Sequence, residues 1–331
     1  MTRTTPPRPV DIAAVLPELR EHALPATRLH PRPGTPHVTD SSVGGPLLWP
    51  AGEPWPMCTG GTHDTRWSVQ LRPQDVRRRR ELLGAAWART PRGESLRITD
   101  EERAALPDPG VPAPRPPAGA PMPMIPVAQL YRRDVPGFLG PDDTDVLQVL
   151  WCPLSHEDLE YSPRVYLRWR RAGQVTEVLE PPQPPVVEDV YLPQPCVLHP
   201  EQVTEYPCPD LLPPELAARI SDRYDDDIYS FELSIADGWK LGGHADWGLS
   251  DPEPMDCERC GTPMRLLLCA ASAEWDRETL SWRPVEDADE PAYESLPPRI
   301  APTDVIIGRG SSLWIHICPR SWVHPHRTVV Q

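Results

Sequence analysis

Proline occupies 48 of the 331 positions, roughly three times its usual ~5% share. Each proline removes a backbone donor and fixes φ, so at this density long helices are excluded and short strands joined by rigid extended loops are favoured. The chain can still build a core, because 39% of its residues are hydrophobic and 12 are tryptophan. These constraints predict an α+β protein, mostly antiparallel β, with few short helices.

Two stretches read as helices. Ile12, Val15, Leu16 and Leu19 recur at helical spacing within residues 10–23, with Pro17 interrupting the pattern. Residues 213–220 begin with two prolines, which suit a first helical turn. Strands are expected over 123–131, 145–153 and 163–169, with 175–179 pairing to the last across an Ala-Gly turn. Residues 186–192 read as an edge strand within a Pro-rich connector, and Asp225, Asp226 and Asp227 as a solvated loop. The segment 64–121 reads as a polar, partly disordered insertion. Its four arginines at 77–80 lie in an acidic chain without interleaved aromatics, so a solvated run fits better than a nucleic-acid contact.

The chain repeats itself. Gly44, Gly45, Trp49, Pro54, Pro56 and Met57 share their spacing with Gly242, Gly243, Trp247, Pro252, Pro254 and Met255. Each block then reaches a cysteine (Cys58 or Cys257), a Pro-Met strand opening (Pro123-Met124 or Pro263-Met264) and a strand ending on Cys-Pro (Cys152-Pro153 or Cys318-Pro319). The reading is an internally duplicated two-repeat fold. A lead-in covers 1–39, the first repeat 40–160, a connecting region 161–235 and the second repeat 236–331. A cleft between the repeats is the natural binding site. Trp49 and Trp247 mark it, although they suit core anchors better than ligand stackers, and Glu53 and Asp251 stand at nearby places in the two copies.

These blocks, together with the Pro-Met-x4-Gln-Leu strand at 123–130 and the Leu-Gln-x-Leu-Trp-Cys strand at 147–152, resemble the YwqG-like family of bacterial proteins. The resemblance covers roughly 40–60, 121–156 and 236–320. It implies an α+β, internally duplicated domain of unassigned function, with an immunity role suggested for some members and no catalytic residues to carry over. The insertion after Cys58 departs from a compact member of that family.

Cysteine placement points to metal. Cys257 and Cys260 form a Cys-x2-Cys knuckle closed by Gly261 and followed by an apolar strand, the arrangement that sets two thiolates on one zinc. In an antiparallel hairpin the start of the first strand lies beside the end of the second. Cys318 should therefore join that knuckle, with His324 or His326 as the fourth ligand. By the same logic Cys58, His63, Cys152 and His156 gather in the first repeat. Both sets suit structural zinc. A redox knuckle would open a helix in a βαβ setting, whereas this one precedes a strand. Cys196, Cys208 and Cys269 read as loop or core thiols.

No Gly-x-Ser-x-Gly, P-loop, dinucleotide fingerprint or His-Glu-x-x-His occurs. Cys152 with His156 lacks a third orienting group, and Glu53 with Asp251 suits solvated loop carboxylates better than an acid–base pair. The net charge of −15 disfavours nucleic acid and anionic membranes as partners and suits a basic protein. With no signal-peptide pattern and no apolar run of membrane-spanning length, the expectation is a cytoplasmic protein with reduced thiols. The function expected from these residues is non-enzymatic binding, as an immunity or regulatory partner; the alternative is a hydrolase-like enzyme using the inter-repeat cleft.

Overall fold

The computed structural model describes residues 3–61, 63, 70–91, 94–107, 117, 119–160, 162–248, 250–289 and 300–331. The fold is α+β, and every strand pair in it is antiparallel. After α1 (Ile12–Val15) and a 3-10 stretch over Pro17–His22, which the interrupting proline starts, the chain enters one sheet as β1 (Leu24–Arg28). It crosses at Leu29, His30 and Pro31 to the other sheet as β2 (Arg32–Pro33) and continues there as β3 (Ser42–Val43). Then come β4 (Met57–Cys58), β5 (Gln70–Leu71), α2 (Pro73–Arg89), α3 (Asp100–Ala105) and β6 (Met122–Pro123). The same sheet is extended by β7 (Ile125–Tyr131), β8 (Val146–His156) and β9 (Ser162–Arg170).

The path then mirrors itself. After β10 (Val187–Glu188), β11 (Cys196–Val197) inserts into the sheet just built. The chain crosses at Leu198, His199 and Pro200 and becomes β12 (Glu201–Glu205) in the other sheet. Helix α4 (Pro214–Ser221) and a π-helical turn over Ile228–Ser234 lead into β13 (Lys240–Gly242), β14 (Arg265–Ala271), β15 (Ser312–Ile317) and β16 (Arg327–Val330). The first sheet runs β2-β11-β3-β7-β8-β9 and the second β12-β1-β13-β14-β15-β16. Each thus takes its two outer strands from one crossing apiece. The crossings touch: Leu29 N donates to Trp239 O at 2.8 Å, and His199 N donates to Leu29 O at 2.9 Å. A Leu-His-Pro triplet marks each crossing, a repeat beyond those that the block spacing reveals.

Register repeats as closely as order. Ser42 and Val43 pair with Gln129 and Ala128, as Lys240 and Leu241 pair with Cys269 and Leu268. A bulge falls between Pro126 and Ala128 on β7 and between Leu266 and Leu268 on β14. Gly44 and Gly242 end the preceding strands at φ +65° and +69°, where a Cβ would be strained. One refinement concerns the loops. Met124 N donates to Pro56 O while Met264 N donates to Met255 O. In hydrogen-bond register Met255 therefore stands where Pro56 does, one place off the sequence match, and Cys58 coincides with Cys257. Side chains of both sheets, among them Val127, Val149, Leu267 and Ile315, close one core and are fully buried. Each is worth about 1.5–3 kcal/mol.

Three expectations change. Residues 73–89 of the insertion form a 17-residue helix with proline in its first turn, where a missing donor costs nothing. The arginine run lies on it, with Arg77 and Arg78 exposed as expected but Arg80 anchored, donating to Leu192 O at 2.6 Å and Asp189 O at 2.7 Å and pairing with Asp304. Residues 64–69 and 108–116 of the insertion lie outside the described residues. The 175–179 segment does not pair with β9. It bonds instead to the Trp49 loop, Leu179 N to Trp49 O and Ala51 N to Glu177 O. Within 186–192 only Val187 and Glu188 are strand, paired with β5, and the rest turns into a 3-10 stretch.

Charge is buried near the crossings. Lys240, the only lysine in the chain, is wholly buried, and its Nζ donates to Glu205 Oε1 at 2.7 Å and His244 O at 3.1 Å. His30 is fully buried at φ +44°, with its ring nitrogens 3.5 Å from Glu201 and 3.4 Å from Glu274. Such a backbone costs about 1–3 kcal/mol and is held by those carboxylates. Lys240→Met leaves Glu205 buried without its cation and should cost about 3–5 kcal/mol in urea unfolding, part of which Lys240→Met/Glu205→Gln restores. Partial burial alone would raise the Glu201 carboxyl, but the His30 ring 3.5 Å away and hydrogen bonds from Thr5 hold it at about 2. Because the folded state binds this proton less readily, its contribution is intact above the usual carboxylate range and fades as pH falls toward 2. Acid titrations of unfolding should show this loss in the native protein and not in Glu201→Gln.

Candidate metal centres

The knuckle at 257–261 is built by backbone bonds. Cys257 O accepts from Cys260 N at 3.2 Å and from Gly261 N at 2.8 Å, and Cys257 N donates to Thr262 O at 2.9 Å. Gly261 at φ +65° completes the turn, which points two thiols the same way. The β14–β15 register sets Arg265 opposite Ile317, so Cys318 arrives beside the knuckle. The loop after it returns His324. Cys257 Sγ lies 3.4 Å from His324 Nδ1, and Cys260 Sγ lies 3.6 Å from Cys318 Sγ. His326, the other candidate, is engaged with the Val165 backbone instead.

The first sheet repeats the arrangement with different donors. β4 supplies Cys58, and β8 runs on past Trp151 to supply Cys152 and His156. His63 bridges to His156. Cys58 Sγ lies 3.4 Å from His156 Nε2, and Cys152 Sγ lies 3.3 Å from His63 Nε2. In each tetrad all four donor atoms lie within 4.8 Å of one another. A zinc tetrahedron with bonds of ~2.0–2.3 Å has edges of roughly 3.3–3.8 Å, so the side chains already stand close to that geometry. Asp158 Oδ1 sits 3.8 Å from the other ring nitrogen of His156, too far for a hydrogen bond, and Arg164 holds the same carboxylate. Gly61 leaves room for this: at φ +79°, a Cβ there would lie 2.8 Å from His156 Nδ1 and 2.7 Å from Asp158.

Crowding sets the proton balance. Hydrogen bonding with Cys152, then with His156 and His63, holds the Cys58 thiol far below its usual value, while Cys152 beside it is driven up. Cys260 is lowered to about 6, chiefly by hydrogen bonding with Thr262. A thiol deprotonated near neutrality is ready to bind a cation. Two thiols with two imidazoles, and three thiols with one, are donor sets that suit a borderline-soft divalent ion. In burial the centres differ. Cys58, Cys152 and His156 are buried, whereas Cys260 is exposed.

The expected cleft residues do not converge. Trp49 is 1% exposed and packs on Trp55 in a satellite core, while Trp247 is half-buried. Glu53 pairs with Arg168 and Arg170 at 3.2 and 3.1 Å, and Asp251 is exposed. Cys152 and His156 belong to one tetrad, each facing the other's neighbour, so they form no isolated nucleophile–base pair. Among the described residues, no helix is long and apolar enough to cross a membrane. No protein-family model matches the chain, and no curated protein matches it significantly. The difference in exposure predicts that a chelator strips the metal of the Cys260 centre first. Two-phase release, with the fast phase absent in Cys260→Ser, is the expected outcome of a colorimetric zinc-release assay.

Proposed function

We propose that this chain is a non-enzymatic binding protein built from two copies of one unit, each closed by a structural zinc ion. The carrying observation is the pair of Cys/His tetrads at matching ends of the β7–β8 and β14–β15 hairpins. Four protein donors at each centre leave no open coordination position, the mark that separates structural from catalytic zinc. The matching strand order and bulges of the two sheets support the duplication. Free cysteines throughout suit a reducing compartment, hence the cytoplasm. The net charge of −15 suits a basic partner. The resemblance to the YwqG-like family supports an immunity or regulatory role for that partnership. A hydrolase using the inter-repeat cleft is disfavoured, because Glu53 is neutralised by two arginines and Cys152 is tied into a tetrad.

Metal analysis by plasma mass spectrometry tests this reading. Protein purified without chelator should carry one zinc per tetrad, Cys58→Ser should lose one and Cys257→Ser the other. Each loss should lower stability by several kcal/mol, since structural zinc contributes on the order of 10 kcal/mol. Absence of stoichiometric zinc from the native protein would falsify the proposal.

A further inference from the structure

On the first sheet, the face carrying Gln129 and Gln148 is covered by the chain itself. Leu48 N donates to Gln129 Oε1 at 2.7 Å, and Gln148 Nε2 donates to Leu48 O at 3.0 Å. The Arg170 guanidinium lies 4.5 Å from the centre of the Trp49 ring. It donates to Gln148 Oε1 at 2.7 Å and to Glu53 Oε2 at 3.1 Å. This half thus holds a guanidinium of its own between a carboxylate, an amide and an indole.

The second sheet has the same register and different residues. Cys269 stands at the place of Gln129, Trp314 at that of Gln148, and Gln331 at that of Arg170. By the shared Gly-Gly spacing, Asp246 replaces Leu48. A cavity of about 500 Å³ opens over this face, lined by Cys269, Trp314, Asp246 and Gln331, a volume suited to a small organic group. Its wall adds Asp237, Asp276 and Glu278, and Arg309 is its one cationic lining residue. Thr279 Oγ1 lies 3.0 Å from a carboxylate oxygen of both Asp237 and Asp276 and holds the two close together. Among the described residues none of these acids is in an ion pair, whereas Glu53 of the first half has two. Trp314 is 4% exposed, and its indole N–H has no hydrogen-bond partner. Burial, then the charge of Asp276, pushes the Asp237 carboxyl up to about 6, the state of an acid set without a counter-ion.

We propose that this cavity is a binding site for a guanidinium group, held by Asp237 and Asp276 at the place where the first half carries its own Arg170. The planar guanidinium fork donates two parallel bonds to paired carboxylate oxygens, and an acceptor on the same ligand can meet the free indole N–H of Trp314. The group comes either from a free small guanidine or from an arginine side chain of a basic partner. In the second case the inference rests on the binding function proposed for the chain.

Calorimetric titration of the full, zinc-loaded chain tests it, with agmatine as the free guanidine and a blocked Gly-Arg-Gly peptide as the side-chain source. The citrulline peptide, of the same shape without charge, is the control. Saturable one-to-one binding of agmatine alone identifies a small-molecule site, and tighter binding of the arginine peptide identifies a partner's side chain. In both cases Asp276→Asn/Glu278→Gln, two exposed positions whose change spares the core, should weaken binding roughly tenfold or more, and Asp143→Asn on the far half should not. No saturable binding of either probe at millimolar concentration overturns the proposal. So does equal binding of the citrulline peptide, or an unchanged affinity in the double variant. Zinc content measured on the same samples keeps this outcome separate from the metal reading, because the cavity can fail with both zinc ions in place.

Discussion

The two crossings hold the architecture together. Each sheet receives an outer strand from the chain segment that mostly belongs to the other, and the crossings meet through the bond from His199 N to Leu29 O. Neither set of strands can separate without extracting a strand from the opposite sheet. This ties the two units into one cooperative structure more firmly than packing alone would. The geometry has a cost, concentrated at His30, whose backbone is left-handed and whose ring is sealed from water. A buried carboxylate is tolerable only when paired, and here Glu274 lies 3.4 Å from the His30 ring with Arg32 3.9 Å away. Lys240 and Glu205 meet the same requirement one strand away.

The gathering of the candidate metal donors follows from that frame. In both halves a β-bulge follows the strand opening, and the strand that closes the hairpin delivers its cysteine to the same end. Cys58 and Cys257, and likewise Cys152 and Cys318, occupy matching positions. The remaining two donors differ between the halves: His63 from a loop and His156 from the end of β8 in one, Cys260 and His324 from loops in the other. Matching strand register sets two candidate donors of each centre, and the segments that do not match supply the rest. The donor sets can therefore drift apart, one a buried pair of thiols and imidazoles, the other open to solvent at Cys260.

Much of this was legible in the residues. The Gly-Gly, Pro-Met and Cys-Pro spacings locate both hairpins, and with the antiparallel rule they gather seven of the eight candidate donors. The fourth donor of the second centre was not legible, because His324 and His326 lie two places apart in an irregular loop and only its path separates them. Helix α2 escaped for a related reason. Its arginines and alanines are strong helix formers, but the polar character of the segment suggested disorder, and the decisive contacts, Arg80 on the carbonyls of Leu192 and Asp189, are long-range. The crossing strands were missed because β2 and β11 are two residues long, too short for any period to register. Their only sequence mark is Leu-His-Pro, repeated at 29–31 and 198–200.

The two sheets share strand order and bulge positions, yet one half is filled and the other open. In the first half Leu48, Trp49 and Arg170 cover the sheet, so this face contributes burial and an internal ion pair. In the second, Asp246 and Gln331 stand where the first has an apolar and a cationic group, and the result is a hollow lined with carboxylates that form no ion pair among the described residues. Such a hollow lowers stability, since acids crowded together and partly dehydrated repel one another. The crossings are placed to offset that loss. They hold the backbone of the second half to the first while its surface departs from it.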